Sequence, residues 1–475
     1  MAMRFNRRSF LKQTALAAGL AAGASLSRGP ILLAAGSPAS KPRTVVIGCG
    51  GRGTSSHLPP AARENLVAIC DVDEKNWGKA MKFLEDKAKD VKVGSVKTYF
   101  DYRKMFDEMH KDIDAVFVAT PNHHHAPPAM IAMKLGKAVY VEKPVSHTLN
   151  ETLRMAAASR QYKVATQMGN QGHCGEGYRR LCEYIWAGAI GNVVETHSWT
   201  NRSNGGAGPR PDKLDVPAGL HWDEWIGPAP FRDYHKGLHA HDWHNWWDFG
   251  NGSLGNMAAH VLDGPVWSLK LKAPTAVELE EVAGGGDGWW PTTARIRWDF
   301  AARGTMAPVK VYWYEGKKLG VKDAGASEEE VGAVGKKGIN WPPMAVDLQK
   351  KYDFKMEESG TIYIGDKGVM YTGCYGGGVT ILPREKMKEF PVPEKTLPRV
   401  TGGPFGNFLD AVRAGKTETA SDFTTAVDLM SVMHLGNIAQ RAGLKKKVLW
   451  DGTKVTNMPE LNKLLSTTPR KGWEV

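Results

Sequence analysis

Thr44-Val45-Val46-Ile47 is a short β-branched run, and Gly48-Cys49-Gly50-Gly51-Arg52-Gly53 follows it directly with the spacing G-x-G-x-x-G. A strand that ends in such a glycine loop can turn tightly into a helix and present backbone amides to a pyrophosphate. Leu66-Val67-Ala68-Ile69-Cys70 reads as a second strand, and Asp71 closes it 18 residues after Gly53. A carboxylate there can accept from the ribose hydroxyls of an adenosine. The spacing therefore predicts a dinucleotide held by Gly48, Gly50, Gly51, Arg52, Gly53 and Asp71, with Asp73 as the alternate ribose carboxylate. Asp71 would repel the extra phosphate of NADP, which makes NAD the expected cofactor and NADP the less favoured one.

Further strands follow in the rhythm of a parallel sheet. Ala115-Val116-Phe117-Val118-Ala119 ends at Thr120-Pro121-Asn122, and Ala138-Val139-Tyr140-Val141 ends at Glu142-Lys143-Pro144. Residues 126–135 between them read as a helix. Ligands collect at the carboxyl ends of strands in open α/β sheets, so both polar triplets are expected to face one crevice.

The ordered set of Gly48-x-Gly50-x-x-Gly53, Cys70-Asp71-x-Asp73, Thr120-Pro121-Asn122-His123-x-His125 and Glu142-Lys143-Pro144 resembles the glucose-fructose oxidoreductase, inositol dehydrogenase and MocA superfamily. The resemblance implies an α/β protein: an N-terminal Rossmann domain at 41–165, then a substrate-binding α/β domain at 166–475 built on a large, mostly antiparallel sheet and closed by C-terminal helices. Val193–Trp199, Ala294–Phe300, Val309–Tyr314 and Gly360–Ile364 agree, since they read as strands without the alternating helices of a continued parallel sheet. Residues 402–415 and 422–442 carry helical apolar spacing. Residues 316–350 lack a clear period and read as an exposed insertion.

The same resemblance places chemistry on Lys143, which would serve the substrate hydroxyl beside a nicotinamide, with Thr120, Pro121, Asn122, His125 and Glu142 lining the cofactor. Gly250-Asn251-Gly252-Ser253-Leu254-Gly255-Asn256-Met257-Ala258-Ala259-His260 is similar to the family's glycine-rich helix start, whose Asp and His stand four residues apart on one face. His260 matches the usual proton acceptor. Asn256 stands where Asp is common, and an amide can orient a hydroxyl but cannot take its proton. Asn170, His173 and His244 are further expected substrate contacts. Eleven of the sixteen tryptophans fall between 199 and 313. Indole faces stack on sugar rings, and Trp246 and Trp247 are expected nearest the site, with Trp267 and Trp298 left to packing. His235, His239, His241 and His244 are dense enough to suggest zinc, but no cysteine accompanies them and the resemblance implies no metal.

Composition narrows the partners. The 475 residues are 42% hydrophobic and 24% charged, enough apolar material for sizeable cores. Of the formal charge of +12, residues 1–36 supply five through Arg4, Arg7, Arg8, Lys12 and Arg28, leaving +7 without a long basic run. Nucleic acid is accordingly not an expected partner. Asn6-Arg7-Arg8-Ser9-Phe10-Leu11-Lys12 before a weakly hydrophobic stretch resembles a twin-arginine export signal over 1–36, which implies a twin-arginine translocase and a periplasmic address. The apolar stretch is too short to span a bilayer, so stable membrane insertion is not expected. Five cysteines without a Cys-x-x-Cys pair give no disulfide framework. A homo-oligomer is compatible with this sequence, which fixes neither its presence nor its order. Three activities remain open: oxidation of a sugar, polyol or glycoside hydroxyl, a glycosidase that works by transient oxidation, and noncatalytic sugar binding with structural NAD.

Overall fold

The computed structural model describes residues 41–316 and 340–475. The expected signal at 1–36 lies outside the described residues. β1 (Arg43–Ile47), β2 (Asn65–Cys70), β3 (Lys97–Tyr99), β4 (Ala115–Val118), β5 (Ala138–Val141) and β6 (Thr166–Met168) form one sheet in the order β3-β2-β1-β4-β5-β6. Every pair in it is parallel. β4 and β5 are buried at all four positions, as expected of strands covered on both faces. The chain reverses between β1 and β4, and the crevice of a doubly wound sheet opens at such a switch point.

The first sheet runs past the expected boundary at 165, because β6 pairs with β5 through Val139 and Thr166. Its covering helices also draw on distant sequence. The helix Gly403–Arg413, expected in the second domain, sends Phe405 and Phe408 against Phe117 and Tyr140 of the first.

β7 (Val193–Thr200), β8 (Ala276–Ala283), β9 (Thr293–Phe300), β10 (Val309–Glu315), β11 (Ser359–Gly365), β12 (Val369–Gly373), β13 (Thr380–Leu382) and β14 (Lys447–Leu449) build the second sheet in the order β13-β12-β11-β7-β10-β9-β8-β14. Only β7 and β10 run parallel. In β9, Ala294, Ile296, Trp298 and Phe300 are buried while Arg295 and Arg297 point outward to carboxylates, the period of two that one covered face produces. The helix Phe423–Ala442 packs on that face; Gly436 admits it, since a Cβ there would lie 2.5 Å from Trp298.

Two further departures concern the second sheet. Residues 317–339 of the expected insertion are outside the described residues, but the rest is structural: the helix Pro343–Tyr352 buries Ala345, with Trp341 and Phe354, against Trp199 and Tyr371. The C-terminal tail returns to the first sheet, where Trp473 is buried against Tyr102 and His124. All five cysteines are free, and no helix among the described residues is long and apolar enough to cross a membrane.

Candidate active site

The glycine loop has the shape that a dinucleotide requires. Gly48 has φ +89° and a Cβ there would stand 2.7 Å from the Ala119 carbonyl at the end of β4. A Cβ at Gly53 would overlap the carbonyl oxygen of Gly48. Gly51, by contrast, has nothing within 4 Å of such an atom, so the loop is open on the side a pyrophosphate would approach.

Asp71 is buried and largely committed to shaping that loop. Its carboxylate accepts from the amides of Cys49 (2.6 Å) and Asp73 (2.8 Å) and from the Asn76 side chain (3.1 Å). Oδ2 retains one free acceptor direction for a ribose hydroxyl. Asp73 cannot easily stand in, because its carboxylate pairs with His239 Nε2 at 2.9 Å. That pair belongs to a strap across the end of β2: the amide of Glu74 donates to Gly219 and that of His221 to Val72, while the His221 ring stacks 3.8 Å from Phe100.

At the next strand ends, Thr120 Oγ1 and Asn122 Oδ1 are buried without a partner. Buried polar atoms without partners are costly, and here they edge the crevice in which a nicotinamide and its ribose would lie. The residues thus fit an NAD molecule. The ring nitrogens of His125 lie 2.6 Å from the Pro144 carbonyl and 2.9 Å from that of Thr120, tying the two polar turns together. Glu142 receives Arg52 Nε at 2.9 Å and has His57 at 3.6 Å. Burial pushes its carboxyl up, but His57, Arg52 and Lys143 outweigh burial and hold it below the usual range.

Lys143 is half-buried. Its Nζ donates to the backbone oxygen of Asn256 at 2.9 Å and to the side-chain oxygen at 2.7 Å. Burial lowers its pKa to about 8 against the pull of Glu142, with Arg52 and Arg202 adding to the drop. Asn256 is itself aimed by its amide, which donates to Asn204 Oδ1 at 2.9 Å. His260 lies one turn further along the helix Gly252–Val261, with Nδ1 buried and unpartnered. Burial, Lys143 and Arg52 all push its pKa well below the ordinary histidine value, so the imidazole is neutral. His244 is a second neutral imidazole, driven down by burial and by Lys143.

Other expected contacts are employed differently. Asn170 and His173 both reach Asp263, with His173 Nδ1 at 2.9 Å, and the His173 ring stacks 4.0 Å from Trp267. The Asn170 amide nitrogen and the His173 ring serve a buried network centred on Asp263, a residue the sequence reading did not single out, while Asn170 Oδ1 is buried without a partner. Trp246 is core: it is buried with Trp225 and Phe249 and carries Arg232 over its ring at 4.9 Å. Trp247 lines a cavity of about 410 Å³ with Trp290, Asp248, Asn251 and Arg441, and neither Lys143 nor His260 reaches that cavity. The local spacing of the two indoles from the glycine-rich helix carries no information on which way each ring turns. Among the described residues no three His, Cys, Asp or Glu side chains converge on a metal position; His239 instead joins the strap and His235 bonds the Lys236 carbonyl.

Residues missed in the sequence complete the pocket. Tyr375 adopts φ +59° and places its ring 4.7 Å from His260. A non-glycine residue in the left-handed region is strained and concentrates at functional sites. The run Cys374-Tyr375-Gly376-Gly377-Gly378 between two short strands was the available signal.

Residues 42–170 match the sequence profile of the NAD-binding Rossmann fold of an oxidoreductase family, and residues 194–287 match the profile of that family's C-terminal alpha/beta domain. A glycosyl hydrolase family 109 protein of Shewanella sp. (strain ANA-3) is 35% identical over 162 residues, 31% of this chain and 35% of its own length. An inositol 2-dehydrogenase of Salmonella typhimurium is 29% identical over 157 residues, 32% of this chain and 44% of its own length. The aligned stretches therefore span less than half of these relatives. Among solved structures, the WlbA dehydrogenase from Bordetella pertussis, in complex with NADH and UDP-GlcNAcA, covers 86% of this chain and 99% of its own with a TM-score of 0.54 at 15% identity. The aldose-aldose oxidoreductase from Caulobacter crescentus, complexed with glycerol, covers 86% and 100% with a TM-score of 0.51 at 15% identity. These two share the fold.

Proposed function

We propose that this chain is an NAD-dependent oxidoreductase of the Gfo/Idh/MocA family, whose two domain profiles match residues 42–170 and 194–287, acting on a hydroxyl-bearing carbon of a sugar, polyol or glycoside. Bound NAD supplies the acceptor for the hydride that leaves the carbinol carbon. Gly48, Gly50, Gly51, Arg52, Gly53 and Asp71 would hold its phosphates and adenosine, while Thr120 and Asn122 would offer their unpartnered atoms to its other end.

The observation that carries the mechanism is the pair of hydrogen bonds that Lys143 Nζ donates to Asn256. A neutral amine spends both N–H groups on those two oxygens and keeps its lone pair for the hydroxyl proton. A pKa of about 8 makes that neutral form accessible near physiological pH. The resemblance gave the acceptor role to His260, but a histidine needs an acidic neighbour to raise its basicity, and position 256 supplies an amide. We therefore assign proton acceptance to Lys143 Nζ and orientation of the hydroxyl to His260, with Tyr375 walling the substrate. Single-turnover reduction of bound NAD tests this across a panel of sugars, polyols and glycosides. The expected result is a reduced-nicotinamide signal from at least one, lost in Lys143→Met; a panel without any signal would overturn the reading.

Redox-assisted glycoside cleavage is the second reading. The strap formed by Gly219–His221 and the His239–Asp73 pair crosses the end of β2, beside Asp71, where it would help retain a cofactor that the chemistry itself restores. Release of free sugar without net reduction would select it. The noncatalytic reading rested on Asn256, whose grip on Lys143 gives that residue a use in proton transfer. Export through the twin-arginine translocase to the periplasm is also part of the proposal, supported by Arg7, Arg8 and the residues around them.

A further inference from the structure

The charges around Lys143 do not balance. Arg52 and Glu142 pair at 2.9 Å and cancel. Lys143 faces an amide at position 256 where a carboxylate would have neutralised it. Arg202 then adds a further positive charge. It follows β7, where its backbone amide bonds Thr200 Oγ1 at 3.2 Å, and its loop is docked on the site through the Asn204–Asn256 bond. Its field reaches Lys143, Cys374 and Tyr375. Among the described residues its guanidinium has no hydrogen-bond or ion-pair partner, and it is exposed. The neighbouring carboxylates are engaged elsewhere: Glu358 receives the Asn201 side chain and Glu357 the amide of Cys374.

An unpaired guanidinium at the mouth of a pocket that already holds an uncompensated lysine draws in anions and binds an oxyanion with two parallel N–H bonds. His260, His244, Asn204, Asn256 and Tyr375 beside Lys143 are neutral, while the charged Glu357 and Glu358 are held by the Cys374 amide and the Asn201 side chain. We propose that the substrate is an acidic sugar whose anionic group docks on Arg202 while its reacting hydroxyl lies at Lys143 and His260. The anion is a carboxylate or a phosphate ester, the two oxyanions common on sugars. For turnover this inference rests on the oxidoreductase reading; for binding it stands alone.

The test uses the NAD-loaded protein and uronic acids, aldonic acids and sugar phosphates, each beside its neutral parent sugar. Binding is measured by calorimetry at low and high salt, and bound-NAD reduction by stopped flow. At least one anionic member is expected to bind about tenfold or more tighter than its parent, the equivalent of one charge-assisted contact, and high salt should reduce the gap. Arg202→Gln should abolish the difference, and Arg202→Lys should retain part of it. Whether carboxylates or phosphates show the gap identifies the anion. Equal binding of every pair, or a gap that survives in Arg202→Gln, overturns the inference. Tight, Arg202-dependent binding without any reduction of NAD would instead sink the oxidoreductase reading and leave this one standing.

Discussion

The side-chain nitrogen of Lys143 sits 2.7 Å from the amide oxygen of Asn256 and 2.9 Å from the carbonyl oxygen of the same residue. Two acceptors from one residue fix the direction of both N–H bonds of the neutral amine. They add no charge, so burial is the leading influence on how readily the proton leaves, with Glu142 opposing it and Arg52 and Arg202 adding to it.

The first consequence is a pH profile. Lys143 has its pKa lowered to about 8, and the neutral form is the active one, so the rate of bound-NAD reduction should rise through about pH 8 and level off above it. Asn256→Asp places a carboxylate against the ammonium, favours the charged form and raises the pKa. The midpoint should then move upward and the rate at pH 7 should fall. A midpoint that stays in place, or moves down, would remove Lys143 from the proton path.

Truncation separates the two candidate acceptors. Lys143→Ala should lower turnover by on the order of 10² to 10⁴, the range for a positioned acid or base, while NAD still binds. His260→Ala should cost about tenfold less than that, because an orienting contact is lost rather than the base. Equal losses in kcat, measured with the same substrate, would return the acceptor role to His260.

Asp71 has two duties, and charge alone does not describe its replacement. Asp71→Ser removes the acceptor for the Cys49 and Asp73 amides, so NAD affinity should fall about tenfold or more, as expected when a charged acceptor of buried donors is lost. NADP should improve relative to NAD without reaching the wild-type affinity for NAD. Titration of both cofactors by fluorescence checks this, and wild-type NAD affinity in the variant would contradict it.

The tail is expected to contribute to stability. Trp473 is buried under the Arg103 guanidinium, 3.7 Å from its ring, and Arg103 also donates to the Gly472 carbonyl at 3.0 Å. Trp473→Ala should destabilise the protein by about 3 kcal/mol, read as a lower urea midpoint with the cofactor held constant. A shift within error would mean that the tail docks without holding the fold.

Export is testable by address. Arg7→Lys with Arg8→Lys should leave folded, NAD-bearing protein in the cytoplasm, detected by fractionation and nicotinamide content. Normal periplasmic yield of the double variant would refute the twin-arginine assignment.

How much of this was legible beforehand follows from the range of each interaction. The first sheet could be read from Thr44 to Lys143 because its information is local: apolar runs make buried strands, Gly48 needs its positive φ, and Gly53 must clear the Gly48 carbonyl. The pair Lys143 and His260 was visible through resemblance, and the structure brings both to one pocket with Asn256 between them. Tertiary structure alone decided the rest. In the second sheet β11 pairs with both β7 and β12, so Thr200 aligns with Ser359 and Gly360 with Gly373. That register delivers Arg202 and Tyr375, 173 residues apart in sequence, to the same rim. Periodicity states which face of a strand is buried; it does not state which strands pair. Likewise the spacing of Trp246 and Trp247 gave no hint that one would be core and the other would line a separate cavity, since ring direction depends on packing against Arg232, Trp290 and Arg441.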